Sequence, residues 1–434
     1  MRSALVIAFI LLSLPFCFRR PYIGIFMWCV VSYVNPHRFA WGAAFHFPAA
    51  QLVAGATLLG WLFSSQRGRL PQQREVYIML LLWFNFALTT LVAIYPEDAL
   101  NRLEFVSKIL LMTFVALFVI DDRRKFEYFM LVLGLSVAAI AVKGGIWGII
   151  TGGKYMLWGP RGSMIADNND VALALNMVTP LVYAFTKIYK KKWLKITFYM
   201  IFGLTVFSII LTQSRGGFVG LVAIAGIMLL KSRGKVLVIP ALLLLAPVMF
   251  YLLPEHYRAR VQTLENYDTD LSALGRLNAW RFAINLSWDR PFNGGGFECF
   301  TPELFLTHAP DPLDYHAAHS NYFLVLGEHG YPALLLFLAL LIATLLKLRR
   351  LENISAKLPT LSWVQTYAIA LQCGVVGYAI SGAFLGRAYF DLYYHFVAAT
   401  IILHELLKRE IVNMALASVK ARQGSGAMRA TVAS

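Results

Sequence analysis

Residues 207–230 read FSIILTQSRGGFVGLVAIAGIMLL, two apolar runs joined by a few small and polar residues. Arg215 is the only charged residue in this stretch, and it stands at the junction of the two runs. The apolar sequence on each side continues for a length that suits a hydrocarbon core about 30 Å thick. The stretch therefore predicts two antiparallel transmembrane helices with an arginine at the tight turn between them.

The same pattern extends over the whole chain of 434 residues. Hydrophobic residues make up 59% of it, charged residues 14%, and the mean hydropathy is +0.62. A soluble protein carries about 25% charged residues, and the strand-type alternation of a membrane β-barrel is absent from the sequence. We therefore predict an all-α polytopic integral membrane protein. The first two apolar segments are short for spans, so we expect about 12 transmembrane helices in all.

The net charge of +16 is spread over short loops between the apolar segments rather than gathered in one patch. This distribution follows the positive-inside rule and places residues 188–195, 231–235 and 347–358 in the cytoplasm. Because the cations form no single patch, we do not expect the chain to bind nucleic acid. The apolar run after Arg2 is followed by no small-residue cleavage site, and we interpret it as a retained anchor.

These assignments divide the chain into four parts. They are an N-terminal transmembrane bundle (1–253), an outward-facing loop or cap (254–320), C-terminal transmembrane helices (321–407) and a basic cytoplasmic tail expected to be disordered (408–434). The loop carries five Lys or Arg against nine Asp or Glu, and this acidic balance suits the outer side. Helical spacing from Ser272 to Trp288 predicts that the loop carries short helices.

Arginines on the outward side are candidates for binding a polyanion, since an ionisable group at membrane depth is costly. Arg215 is the first; the alternative is a turn arginine that snorkels to a headgroup. The following Gly216–Gly217 pair favours a ligand, because glycine allows close approach to the backbone. Arg276 and Arg281 lie five residues apart on the predicted cap helix and should point roughly 140° apart, so only one of them is expected to face the site.

A second outward loop, residues 154–171, holds further polar candidates. Arg161 and Asn169 are suited to binding a polar ligand; the alternative is turn chemistry followed by a helix N-cap. Lys143, late in an apolar segment, either contributes to the same site or snorkels outward.

Residues 316–330 read HAAHSNYFLVLGEHG and mark the point where the cap meets the next apolar segment. His319 is the candidate general base, since a histidine with an ordinary pKa of about 6.5 can accept a proton at neutral pH. A satisfied interfacial histidine is the alternative. His316 is interpreted as a cap or acceptor-side residue, and Glu328 and His329 as packing residues. No third ligand stands at a metal-site spacing, so we expect no metal.

The block that begins at His319, HSNYFLVLGEHGYPALLLFL, resembles the H-x-N-x-(x)-L…E-x-G-x-x-G pattern of the bacterial O-antigen ligase family. That family also includes protein O-oligosaccharyltransferases and, more distantly, O-antigen polymerases. The chain departs from the pattern at Tyr331–Pro332, where a glycine is often found. Three further blocks are similar to those of the family and occur in the same order: ADNNDVALAL (166–175), SRGG (214–217) and GRLNAW (275–280).

The resemblance implies a glycosyltransferase of the bacterial inner membrane whose active site and cap face the periplasm. The donor would be an undecaprenyl-diphosphate-linked glycan and the acceptor lipid A–core oligosaccharide, in lipopolysaccharide biosynthesis, with no metal or other cofactor. His319 would be the general base, and Arg215 and Arg276, together with Arg161, would hold the donor diphosphate. The supporting residues would be Asn321, Asn169 and Lys143.

Other readings of the sequence stay open. A protein O-oligosaccharyltransferase or an O-antigen polymerase would use the same donor with a different acceptor. A lipid-linked glycan transporter, which is not an enzyme, would favour charges near the bilayer midplane and an inverted repeat. The charges that are candidates for a site lie near the outward surface rather than at the midplane, and no repeat is visible.

Overall fold

The computed structural model describes residues 2–40, 42–64, 68–231 and 271–432. Within these ranges the chain forms α-helices, short 3-10 and π-helical segments, turns and loops, and no β-strand, which confirms the all-α class. The helices are α1 (Arg2–Arg19), α2 (Pro21–Cys29), α3 (Ala49–Leu62), α4 (Arg74–Leu91), α5 (Pro96–Val119), α6 (Arg123–Ile150), α7 (Asn168–Ile188), α8 (Lys192–Leu211), α9 (Arg215–Lys231), α10 (Leu271–Asp289), α11 (Pro302–His308), α12 (Asn321–Ser355), α13 (Ser362–Ser381) and α14 (Asp391–Val432).

Seven helical segments among the described residues are long and apolar enough to cross a membrane. They are α1, α4, α6, α7, α8, α12 and the segment Pro359–Phe384, which contains α13. Two shorter apolar helices, Pro21–Val34 and Ala49–Leu62, join them. The chain is therefore an integral membrane protein, and the count of about 12 spans stays a prediction.

Helix α7 lies at the centre of the bundle. It packs against α6, α8, α9 and α13, and nearly every side chain from Val171 to Val182 is buried. Its polar residues Asn176 and Thr179 are buried with it, and Asn176 donates hydrogen bonds to the Gly217 carbonyl (2.8 Å) and the Ser381 hydroxyl (3.1 Å). Interhelical hydrogen bonds of this kind hold helices together where lipid gives no hydrophobic driving force.

The two ends of the bundle are fastened by different polar groups. At one end, Asn168 Nδ2 donates to the Thr212 carbonyl (2.8 Å) and so ties the start of α7 to the end of α8. At the opposite end, Lys347 near the end of α12 pairs with the fully buried Glu75 at the start of α4. Lys231 at the end of α9 pairs there with Glu352. Because His319 lies two residues before the start of α12, it lies at the first end, which we call the His319 end.

Helix α12 is broken near its start. Gly330 has φ 72° and ψ −171°, which is not helical, and Pro332 follows it. The loop at residues 290–299 fastens to both sides of the break: Gly295 N donates to the Gly327 carbonyl (2.8 Å), and Tyr331 N donates to the Pro291 carbonyl (2.9 Å). The departure from the glycine pattern at Tyr331–Pro332 thus falls at a bend of the helix, since proline removes a helical hydrogen bond.

The four parts predicted from the sequence can be compared with the structure only where residues are described. The boundary at 253/254 and the first part of the loop lie outside them. The backbone of α14 continues to Val432 and includes the segment from residue 408, where a disordered tail is expected. Alanine, methionine, lysine and arginine recur in that segment, and all four have high helix propensity.

Candidate functional site

The cap helix α10 is fixed against the start of α12 by an aromatic contact. Trp280 stacks on Phe323, with ring centroids 4.8 Å apart and planes 15° from parallel. Its indole nitrogen donates to the Ala318 carbonyl at 2.8 Å. The bounds Leu271–Asp289 agree with the helix predicted from Ser272 to Trp288. Trp280 therefore anchors the helix that carries Arg276 directly beside His319.

The two cap arginines differ in exposure, as their spacing predicts. Arg281 is exposed, whereas Arg276 is half-buried. Arg276 is close enough to His319 for its charge to act on the imidazole. The structure thus brings together two of the sequence-predicted site residues, which lie 43 positions apart in the chain (319 − 276).

His319 occupies a strained position between the cap and α12. Its φ is +42°, in the left-handed region that a residue with a side chain rarely adopts and that costs roughly 1–2 kcal/mol. The imidazole is half-buried, and burial is the largest cause that lowers its pKa below the ordinary histidine value. The charge of Arg276 lowers the pKa further, as do His316 and Arg387, while Asp167 opposes them. Such a histidine is neutral at neutral pH and free to accept a proton.

His316 packs beside the same arginine. Its ring lies over Gly275, where a Cβ atom would be 2.5 Å from Cε1. Its Nδ1 lies 3.0 Å from a carboxylate oxygen of Asp314. Both neighbours, Gly275 and Asp314, belong to the cap, as the interpretation of His316 as a cap residue expects.

Asn321, the first residue of α12, uses its side chain to hold a second loop. Its Oδ1 accepts a hydrogen bond of 2.5 Å from the backbone nitrogen of Arg387. The guanidinium of Arg387 in turn pairs with Asp170 in the first turn of α7, at 2.5 Å. Sequence reasoning missed Arg387 and Asp170. The ADNNDVALAL block does contain Asp170, but nothing in the sequence indicates its partner 217 residues away.

Arg215 begins α9 at the His319 end of the bundle. The two glycines after it admit neighbouring helices. A Cβ atom at Gly217 would overlap Ala172 of α7, and one at Gly216 would lie 3.1 Å from Phe384. Close packing therefore accounts for the glycine pair, rather than the ligand access to the backbone that the sequence favours.

Asn169 lies in the first turn of α7 and does not itself cap the helix. Asp167 is the N-cap, and its Oδ1 accepts from the Asn169 backbone nitrogen and from Asn169 Nδ2, each at 2.9 Å. Because Asp167 also acts on His319, this helix start borders the site. Asn169 helps to orient that carboxylate.

Arg161 and Lys143 are placed differently. Arg161 is exposed in a turn. Lys143 is exposed on α6, with its ammonium 4.1 Å from the centre of the Phe39 ring. Among the hydrogen bonds and ion pairs of the described residues, none joins either side chain to His319. Their assignment to a diphosphate site stays a prediction.

The arrangement at the His319 end can carry out proton transfer beside an anion. The imidazole of His319, whose pKa burial lowers, lies within electrostatic reach of Arg276 and Arg387 from separate segments and of the Asp167 carboxylate. Within the described residues, no group of three His, Cys, Asp or Glu side chains is arranged to hold a metal ion. The groups present suit general-base chemistry on a substrate that carries phosphate, which arginine binds bidentately.

Two family models match the chain. Residues 1–190 match a family of unknown function (DUF5935), and residues 173–338 match the family described as O-Antigen ligase. The second match confirms the family that the motif blocks predict, and it contains Arg215, Arg276 and His319. Asp170 lies within the first match alone, and Arg387 lies beyond both. No curated protein is significantly similar to the chain.

Proposed function

Residues 173–338 belong to the O-antigen ligase family, and from this premise we propose that the protein is a lipopolysaccharide O-antigen ligase. It would transfer a glycan from undecaprenyl diphosphate to lipid A–core oligosaccharide, with inversion and without a metal. The observation that carries the proposal is the placement of the half-buried His319 between the cap and α12, beside the cap helix that carries Arg276. The donor provides the lipid and the diphosphate that such a site suits.

His319 acts as the general base in this proposal. The acceptor hydroxyl gives its proton to the imidazole, and its oxygen forms the new bond to the anomeric carbon. The bond from that carbon to the diphosphate oxygen breaks, and undecaprenyl diphosphate leaves with the electron pair. A lowered pKa supports this role, because the base must be unprotonated before the acceptor arrives.

Arginine charge stabilises the leaving group. Arg276 stands beside the base, and Arg215 begins α9 at the same end of the bundle. Fixed positive groups aimed at developing negative charge can supply several kcal/mol of transition-state stabilisation. Attack opposite the diphosphate inverts the anomeric centre. One base and a stabilised leaving group suffice for this, whereas retaining and inverting glycosidases use two carboxylates.

The distribution of charge supports a periplasmic site in the bacterial inner membrane. The loops at the end opposite His319 include the lysine run at 190–192 and the arginines at 349 and 350. By the positive-inside rule that end faces the cytoplasm. The His319 end, with the acidic cap, then faces the periplasm, where the lipid-linked donor and the lipid A–core acceptor would meet.

Reconstitution tests the proposal. The purified protein in liposomes receives a lipid-diphosphate-linked glycan and, in separate reactions, lipid A–core, a periplasmic protein or a second lipid-linked glycan. We expect a gel shift of lipid A–core, and we expect it to persist with a chelator present. Transfer only to the protein, or only to the second glycan, would show that the proposed acceptor is wrong while the proposed transfer chemistry stands. Movement of the donor across the bilayer without formation of a new glycosidic bond would overturn the proposal that the protein is an enzyme.

A matched pair of histidine variants tests the base. His319→Ala should reduce transfer by roughly 10²- to 10⁴-fold, the usual contribution of a general base. His308→Ala is the control, because His308 ends the short helix α11 and pairs with Asp289, away from His319. Equal transfer by wild type and His319→Ala would show that His319 is not the base.

A further inference from the structure

Three segments of the chain that are far apart in sequence meet at Arg387. Its guanidinium pairs with Asp170 of α7 at 2.5 Å, and its backbone nitrogen donates to Asn321 Oδ1 at 2.5 Å. Its carbonyl accepts from the Tyr378 hydroxyl at 3.1 Å. Arg387 is thus held by α7, α12 and α13 at once, and its side chain keeps 29% of its surface exposed.

The residue before Arg387 lies close to the backbone of the proposed base. A Cβ atom on Gly386 would lie 3.7 Å from the His319 nitrogen and 3.9 Å from its Cα. His319 has the strained φ of +42°, and such a conformation persists only where surrounding structure holds it. Gly386 on one side and the Asn321–Arg387 hydrogen bond two residues further along supply that support.

Arg387 also acts on His319 through its charge. The groups that act on His319 are Arg276 from the cap helix, His316 from its own loop, Asp167 from the start of α7, and Arg387. Arg387 favours the neutral imidazole, as Arg276 does. Asp170 is 7% exposed and pairs with Arg387, so it fixes where that positive charge stands.

We propose that Arg387 is a positioning residue for His319, and that the N-terminal family region (residues 1–190) takes part in the transfer site by holding Arg387 through Asp170. The inference rests on the proposed function and deepens it. It gives a role to a region whose family has no described function, since Asp167 and Asp170 both belong to residues 1–190 and precede the O-antigen ligase match.

The test compares Arg387→Gln, Asp170→Asn and the charge swap Asp170→Arg/Arg387→Asp in the full-length protein. Two readouts are taken: kcat and KM of glycan transfer, and the pH dependence of His319 modification by diethyl pyrocarbonate, followed by mass spectrometry. The second needs no substrate. If wild type transfers no glycan, the proposed function fails, while the titration of His319 still tests the positioning role.

Arg387→Gln should lower kcat on the order of ten- to a hundredfold, because a small misplacement of a catalytic group is costly, with KM changed much less. The titration midpoint of His319 should move to higher pH, since a nearby positive charge has been removed. Asp170→Asn should also lower kcat, but without raising that midpoint, because it removes an anion. The charge swap should restore thermal stability but not kcat, since a carboxylate then stands near His319.

Glu352→Gln is the matched control. It breaks another interhelical ion pair that is largely buried, that of Lys231 with Glu352, at the opposite end of the bundle. It should leave both kcat and the His319 midpoint unchanged. An unchanged midpoint in Arg387→Gln, or full recovery of kcat in the charge swap, would overturn the proposal and leave the ion pair as a structural fastener.

Discussion

The imidazole of His316 lies over Gly275, so that a Cβ atom at position 275 would be only 2.5 Å from the ring. The glycine lets the cap helix and the histidine-bearing loop approach each other one residue before Arg276. A glycine inside a helix costs about 1 kcal/mol relative to alanine. The GRLNAW block therefore begins with a residue that weakens the helix and makes room for its neighbour.

Gly275→Ala should separate folding from function. We expect it to lower kcat/KM of glycan transfer roughly tenfold, since displacement of the His316 ring shifts the loop that leads to His319. The thermal unfolding midpoint should change little, because the helix gains what the contact loses. Gly203→Ala in α8 is the control, since nothing lies within 4 Å of a Cβ atom there. A similar activity loss in the control would contradict the prediction.

The pH profile of transfer should report the neutral form of His319. Burial and Arg276 lower its pKa, so the base becomes protonated only below the ordinary histidine value of about 6.5. We expect kcat/KM to stay level down to that pH and to fall below it. The fall of kcat/KM at low pH is measured from initial rates across the acid range, with liposome integrity checked at each pH. A fall centred above the ordinary value would be inconsistent with His319 as base.

The ion pair between Glu75 and Lys347 should matter for stability more than for chemistry. The Glu75 side chain is fully buried and that of Lys347 is 9% exposed. Glu75→Gln removes the carboxylate that neutralises a buried cation, a change that typically destabilises a protein by about 3–5 kcal/mol. Thermal unfolding in detergent measures the effect. Glu104→Gln, which removes an exposed pair with Lys108, should cost about 0–1 kcal/mol, and equal losses would argue against the burial effect.

Gly330 should tolerate no side chain. Its φ of 72° with ψ of −171° lies in a region that is essentially restricted to glycine. A Cβ atom there would also lie 2.5 Å from the Pro291 carbonyl oxygen. Gly330→Ala should lower stability by roughly 1–3 kcal/mol or more, seen as a lower unfolding midpoint. Gly226→Ala, a helical site with open space around it, should show no such drop; if both variants unfold alike, the break in α12 is not strained.

Local patterns predicted much of the fold and part of the site. Hydropathy gave the helical membrane class, and helical spacing gave the cap helix and the different exposure of Arg276 and Arg281. His319 and Arg276 were each chosen for their chemistry, and the structure places them within electrostatic reach of one another. Such patterns are predictive because each depends only on residues within a single helix or turn.

What the sequence could not indicate depends on contacts between distant segments. Arg387 resembles any other loop arginine until α7 places Asp170 against it. The sequence favours ligand access at the Gly216–Gly217 pair, because it does not show that Ala172 and Phe384 fill that space. The partner of a residue, rather than its type, decides its role in both cases.

The break at Gly330 has a mechanical consequence. The short first half of α12 is fastened to the loop at 290–299, because Gly295 and Gly296 donate to the carbonyls of Gly327 and Glu328. The longer second half carries an apolar run that suits a membrane span, and packing against neighbouring helices sets the tilt of such a helix. Because Tyr331 N also donates to the Pro291 carbonyl, the same loop holds both halves of α12 at the break. The loop therefore sets the angle between the segment that begins beside His319 and the segment that suits the bilayer.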